Sequence, residues 1–345
     1  MRARLTPSGW KLGGLPAKGR RAGRGPVRRP AGVLAALVVA MFLVTASGCT
    51  RGRIPGTGLE LQGGPPSGPL AAGLPAPVSG QRAGTGRRAA TGACPVIPHG
   101  FSCLMRRRIR AARRFLARQP GRIGLVLHDR ITGATWRSAN ARIPFPAAST
   151  TKLAMAADLL LRADAGRITL RGGDRALLRE ALHDSSDAAA TRLWFRYENG
   201  SFLHRITRFG MRGCSFSGQL SWGFMYCSPE DLDNLMNYVL GDLTGGDRGY
   251  LVGQLRHVAR NQRWGVWGAG RPSRPGNKDG WEDDDGTWVT DTVGFAGPGE
   301  RYTLAIMAEL PAPTWFRQGK NTLTHISAVL FRGGHVPRLK ADATP

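Results

Sequence analysis

Lysine is scarce in this chain, with six residues against 43 arginines in a length of 345. In so Arg-rich a background, a retained lysine marks a place where a permanently charged guanidinium would not serve. Acid is scarce as well: 23 Asp and Glu stand against 49 Lys and Arg, a formal net charge of +26. The imbalance is uneven. Residues 1–49 carry nine basic residues and no acid, and Cys94–Pro345 keeps 35 basic against 22 acidic. Cysteine is limited to five residues without a C-x-x-C pair or an accompanying His cluster, so no metal and no cofactor is expected. No aromatic-basic interleaving or DNA-binding motif accompanies the positive charge, which argues against a nucleic-acid partner. The run Arg106, Arg107, Arg108, Arg110, Arg113 and Arg114 reads as the solvent face of a helix, and a basic surface suits an anionic cell envelope. There is no internal repeat.

The N-terminus accounts for much of the charge. Arg28 and Arg29 precede the apolar run Ala31–Val44, which ends in Thr45-Ala46-Ser47-Gly48-Cys49. A basic segment, an apolar segment and small residues describe a secretory signal. The end is similar to a bacterial lipobox, with Cys49 as the lipidated first residue and Ala46 where Leu is usual. Residues 1–49 are therefore read as signal, and 50–93, rich in Gly, Pro and Arg without apolar periodicity, as a disordered tether from a lipid anchor. The remaining Cys94, Cys103, Cys214 and Cys227 then meet an oxidising compartment. Three pairings are open, and Cys94–Cys103 with Cys214–Cys227 are preferred because each closes a short local loop.

Residues 94–345 are read as one folded domain. Leu104–Arg118 has the pattern of an amphipathic helix, Ile123–Asp129 that of a buried strand, and Ala134–Ala139 that of its hairpin partner. Pro144 and Pro146 forbid helix before Ser149, and Leu153, Met155, Leu159, Leu160 and Leu161 then predict a buried helix to about Gly166. From Arg167 to Arg260 the chain reads almost entirely helical. Strands return at Arg274–Trp281, Gly286–Val293 and Arg301–Glu309, with Glu282–Asp285 as a hairpin tip, and Asn321–Phe331 closes as a helix. The expected fold is α/β in the α+β sense: a five-stranded, mainly antiparallel sheet flanked by terminal helices (94–166 and 261–345), with an inserted all-α lobe (167–260). A cleft between lobes is where a site is expected.

Ser149 and Lys152 lie three residues apart at the start of the buried helix, so they share a face. A serine becomes a nucleophile when a base takes its proton, and a desolvated lysine can be that base. Two further pieces fall at junctions of the layout: Ser185-Ser186-Asp187 and Lys278-Asp279-Gly280. The ordered set S-x-x-K, S-x-D, K-x-G resembles the S-x-x-K, S-D-N and K-T-G motifs of class A β-lactamases and penicillin-binding proteins. The resemblance spans roughly Leu104 to Gly333. It implies Ser149 as the acyl-accepting nucleophile and Lys152 as its proton acceptor. Ser185 would relay a proton to the leaving group, with Lys278 as the positive charge beside it. The backbone N–H groups of Ser149 and Trp281 would form the oxyanion hole, and Asp187, Asp279 and Gly280 would line the substrate. The implied partner is a small-molecule or peptide acyl substrate, and the protein is expected to be a monomer.

Two departures bear on activity. The family's deacylating glutamate has no counterpart, because Gly200–Pro229 holds no acidic residue. Asp279 stands where the family has a hydroxyl that helps bind a substrate carboxylate, and Asp187 stands where it has Asn. Slow deacylation and an altered substrate are the expectations.

Overall fold

The computed structural model describes residues 99–333 other than 199, 285 and 312–314. Eight strands and eight α-helices are found among the described residues. In chain order they are α1 (Cys103–Leu116), β1 (Arg122–Asp129), β2 (Thr135–Arg137), β3 (Phe145–Pro146), α2 (Thr151–Asp164), α3 (Asp174–His183), α4 (Asp187–Tyr197) and α5 (Phe202–Ile206). They continue with β4 (Ser215–Phe216), β5 (Met225–Cys227), α6 (Pro229–Gly241), α7 (Gly245–Arg256), β6 (Gly276–Asp284), β7 (Thr287–Ala296), β8 (Tyr302–Leu310) and α8 (Phe316–Arg332). No helix of the described residues is long and apolar enough to cross a membrane.

Side-chain alternation builds the main sheet. Its order is β2-β1-β8-β7-β6, with every neighbouring pair antiparallel. Strand β8 sends Leu304, Ile306, Ala308 and Leu310 to one core, shared with α1 and α8. It sends Ala305 and Met307 to the other, shared with α2 to α7. That period of two is what a sheet covered on both faces requires. Helix α2 is buried on every side from Thr151 to Leu160 and forms the centre of the second core. Helix α6 begins as its sequence predicts: the Ser228 hydroxyl and the Asp231 carboxylate cap each other's backbone N–H groups, with Pro229 at the first position.

The α+β architecture with a five-stranded antiparallel sheet is as expected, and four details differ. Helix α8 starts at Phe316, five residues before the apolar pattern announced it, because Phe316 packs on Trp264, Trp281 and Trp288. Glu282, Asp283 and Asp284 are not a hairpin tip. They continue β6, paired with Val289, Trp288 and Thr287, and the chain turns at Gly286 with φ 81°. Helix α7 ends at Arg256, four residues short of the expected Arg260. The segment read as all helical also contains β4 and β5, which join β3 in a second sheet of order β3-β5-β4. A disulfide between Cys214 and Cys227 closes that loop. Cys103 is disulfide-bonded too, whereas Cys94, Cys49 and the signal and tether segments lie outside the described residues.

Candidate active site

The nucleophile turn is set by its flanks. Strand β3 ends at Pro146, and a single 3-10 turn, Ala148–Thr150, leads into α2. Ala148 takes φ +41°, a strained value for a residue with a Cβ, and the Thr150 and Thr151 hydroxyls hold the turn by donating to Ala147 O (2.5 Å) and Ala148 O (2.8 Å). Strand β6 lies directly against it. A Cβ at Gly280 would sit 3.0 Å from Ser149 N, 3.1 Å from Ala147 O and 3.1 Å from Thr150 N, so only glycine lets the edge strand approach.

Lys152 is fully buried, and its Nζ donates to Ser149 Oγ (2.8 Å), Ser185 O (2.7 Å) and Asp187 Oδ1 (2.6 Å), with Ser185 Oγ at 3.4 Å. The indole of Trp222 lies over the same nitrogen, 4.4 Å from ring centre to Nζ. Lys278, also buried, donates to Ser185 Oγ (2.8 Å) and to Asp279 O (2.7 Å). The two hydroxyls and two amines, distant in sequence, thus form one continuous hydrogen-bonded chain: Ser149, Lys152, Ser185, Lys278. Ser185 holds its place with φ +60°. The helix-capping role falls to its neighbour Ser186, whose Oγ accepts from Ala189 N, which leaves the Ser185 side chain to the two lysines.

Electrostatics follow burial. Desolvation pulls Lys152 below the ordinary lysine value, and the neighbouring Asp187 carboxylate pulls it partly back. Lys278 is lowered further, by desolvation first and by the charge of Lys152 second. Both shifts favour a neutral amine, the form that can accept a proton.

Asp279 and Trp281 are on the other face of β6. Asn277 Nδ2 donates to Asp279 Oδ1 (2.5 Å), Trp267 Nε1 donates to Asn277 Oδ1 (2.7 Å), and Trp281 stacks near Phe316. The period of two explains this placement: Lys278 and Gly280 face the nucleophile turn, while residues 277, 279 and 281 face α8. Burial drives Asp279 well above the usual carboxylate range. Its side chain is therefore not beside Ser149, and the altered substrate expected from an Asp279 carboxylate in the site has no geometric basis here. Glu282, one turn of the pleat beyond Gly280, is pushed up to about 7 by burial and then by Asp284.

Trp222 was passed over in the sequence, where it is one of several aromatics in a loop rich in them. Its signal was positional: it lies between Cys214 and Cys227. The loop is pinned to the site at three points, with the Thr151 hydroxyl at 3.1 Å from Trp222 O, Trp222 Nε1 donating to Thr191 Oγ1 (3.2 Å), and Trp194 Nε1 donating to Leu220 O (3.1 Å).

This fold and these motifs define the class to which the chain is similar, that of the class A β-lactamases and PBP-A. A family model described as "Beta-lactamase enzyme family" matches residues 106–179. The structure of PBP-A superposes with a TM-score of 0.56 at 20% identity, covering 68% of this chain and 96% of that one. A β-lactamase from Chitinophaga pinensis gives 0.57 at 14% identity, covering 66% and 99%. Among particular relatives, the protein named "Putative lipoprotein LppW" of Mycobacterium tuberculosis is 27% identical over 245 residues, covering 66% of this chain and 76% of its own length. The fold of this chain is the β-lactamase/transpeptidase fold, and the resemblance read from the sequence is upheld.

Proposed function

We propose that this protein is an exported, lipid-anchored serine acyl hydrolase or transferase. It acts through an acyl-enzyme on Ser149, with β-lactams or cell-envelope peptides and amides as substrates. The observation that carries the reading is the unbroken hydrogen-bonded chain from Ser149 through Lys152 and Ser185 to Lys278. Neutral Lys152 takes the Ser149 proton as Oγ attacks the acyl carbon. Ser185, polarised by Lys278, hands a proton to the departing nitrogen and takes its replacement from Lys152, which is neutral again in the acyl-enzyme. Backbone N–H groups of Ser149 and Trp281 serve as the oxyanion donors. Membrane anchorage through Cys49 agrees with the lipoprotein name of the relative LppW.

A second reading, a penicillin-binding module that is acylated without turnover, draws support from one observation. The loop that would carry a deacylating carboxylate instead presses Trp222 onto Lys152. One experiment separates them. Purified protein is incubated with a fluorescent penicillin and followed by gel fluorescence and intact mass, beside Ser149→Ala. Labelling of the wild type alone, followed by release of hydrolysed product, supports the hydrolase; persistent label supports the trap. Equal labelling of Ser149→Ala, or no labelling of either, removes both.

A further inference from the structure

We propose that Asp187 is the general base that activates the water attacking the Ser149 acyl-enzyme. The inference rests on the acyl-enzyme reading above and gives it its second half. It starts from which carboxylate in contact with the Ser149–Lys152 pair is open to solvent. On the side of the loop closed by Cys214–Cys227, the Trp222 ring covers Lys152 Nζ at 4.4 Å and is fixed at its indole nitrogen by Thr191. The segment 200–229 that forms this loop has no acidic residue. Thr191 belongs to α4, and one turn earlier on that helix Asp187 keeps 58% of its side-chain surface open while its Oδ1 accepts from Lys152 at 2.6 Å.

Glu282, two residues past Gly280 on β6, makes no hydrogen bond to Ser149 or Lys152 among the described residues, and other carboxylates near the lobe are committed elsewhere. Glu198 is tied to Arg205 and Arg162, Glu230 to Arg137 and Arg142, and Asp184 to His183. Asp279 is on the far face of β6. Among the described residues, Asp187 is the carboxylate hydrogen-bonded to the Ser149–Lys152 pair.

The proton inventory closes on groups already in contact. Water gives a proton to Asp187 as its oxygen bonds to the acyl carbon and the carbonyl electrons move onto oxygen. When the carbonyl re-forms, the bond from that carbon to Ser149 Oγ breaks, and neutral Lys152 takes the proton held by Asp187 across the 2.6 Å contact. Lys152 passes a proton on to Oγ across the 2.8 Å contact and is neutral again, as acylation requires. The enzyme returns to its starting state with one water consumed and one acid released. An Asn at this position keeps the size and the acceptor for Lys152 but accepts no proton from water.

The test uses fluorescent penicillin as the probe on the full-length protein. Wild type, Asp187→Asn and Asp187→Glu are labelled, freed of excess probe, and followed for loss of label from Ser149. Asp187→Asn is expected to take up label at no less than the wild-type rate and to hold it at least about 100-fold longer, the size of a lost general base. Asp187→Glu is expected to recover part of the release rate. Release from Asp187→Asn at the wild-type rate overturns the proposal, as does a variant that labels more slowly but releases normally, since that marks a role in acylation alone. A wild type that labels and never releases overturns it while leaving acylation at Ser149 intact. A wild type that takes no label overturns the acyl-enzyme reading itself.

Discussion

Lys152 is surrounded on three sides by oxygen acceptors and on a fourth by the face of an indole, an environment that holds an ammonium well. Burial works in the opposite sense and lowers its proton affinity. The charged groups facing it are Asp187 from α4, which raises the value, and Lys278 from β6, whose own value Lys152 depresses. Lysine is active as a base only when neutral, so acylation should rise with pH toward a limb that lies below the ordinary lysine range. Asp187→Asn removes the raising influence, so the limb should move to lower pH, read from the rate of penicillin labelling between pH 5 and 10. A limb that stays put or moves up would mean that Asp187 does not set the state of Lys152. Gly280 supplies a steric counterpart. With backbone atoms at 3.0–3.1 Å from its absent Cβ, Gly280→Ala must push β6 off the nucleophile turn. The expected cost is about 1–3 kcal/mol of stability, with a larger proportional loss of labelling because Trp281 N–H moves away from Ser149 N–H. Chemical denaturation and labelling rate on the same preparation check both.

At the scale of elements, α6 and the loop before it carry the most testable chemistry. Asp233 is buried in α6, where Thr303 of β8 donates to Oδ1 (2.5 Å) and Asn237 donates to Oδ2 (3.0 Å). Burial raises it from 3.8 to about 6, against those two hydrogen bonds. A carboxyl whose folded value lies above its unfolded value stabilises the fold fully at low pH, and that contribution is lost as pH rises from about 4 through about 6. The loss amounts to about 3 kcal/mol. Urea unfolding at pH 4 and pH 7.5 should therefore show a smaller pH-dependent difference for Asp233→Asn than for wild type. The disulfide Cys214–Cys227, with 13 residues of separation, should contribute about 3 kcal/mol. Replacing both cysteines with serine should lower the melting temperature and quicken exchange of the backbone amides of residues 215–226, the segment holding Trp222.

Much of the element plan was legible because it rested on strong local signals: the prolines before Ser149, the capping serine and proline at Ser228-Pro229, and the continuous apolar runs of β1 and β8. What escaped was decided by distant partners. Strands β4 and β5, two and three residues long, carry too little pattern to be seen without β3 beside them. The start of α8 depends on an aromatic cluster drawn from four segments. The convergence of Ser149, Lys152, Ser185 and Lys278 was inferable from motif order, whereas the burial of Asp279 needed the pairing of β6 with β7, and the contact of Trp222 with Lys152 needed the loop's path.

At the scale of the whole molecule, every group in the proposed proton path lies within residues 149–281, while the signal-like segment and tether precede residue 94. The described domain has its own two cores, one on each face of the sheet, and nothing in the proposed chemistry calls on the N-terminal segment. Anchorage and catalysis should therefore separate. In an exporting bacterial host, Cys49→Ala in the full chain removes the thiol that the proposed lipidation would use, and a chain that has lost an acyl anchor loses most of its membrane affinity. The expected result is a shift of protein from the membrane pellet to the soluble fraction, with the rate of Ser149 labelling unchanged within about twofold (about 0.4 kcal/mol of activation free energy). If the variant stays in the pellet after a high-salt wash, which removes attraction between the basic chain and anionic lipid, the N-terminal apolar run is acting as an uncleaved span. If it moves to the soluble fraction but labels much more slowly, the tether takes part in the site, and the separation argued from the domain's own cores is wrong.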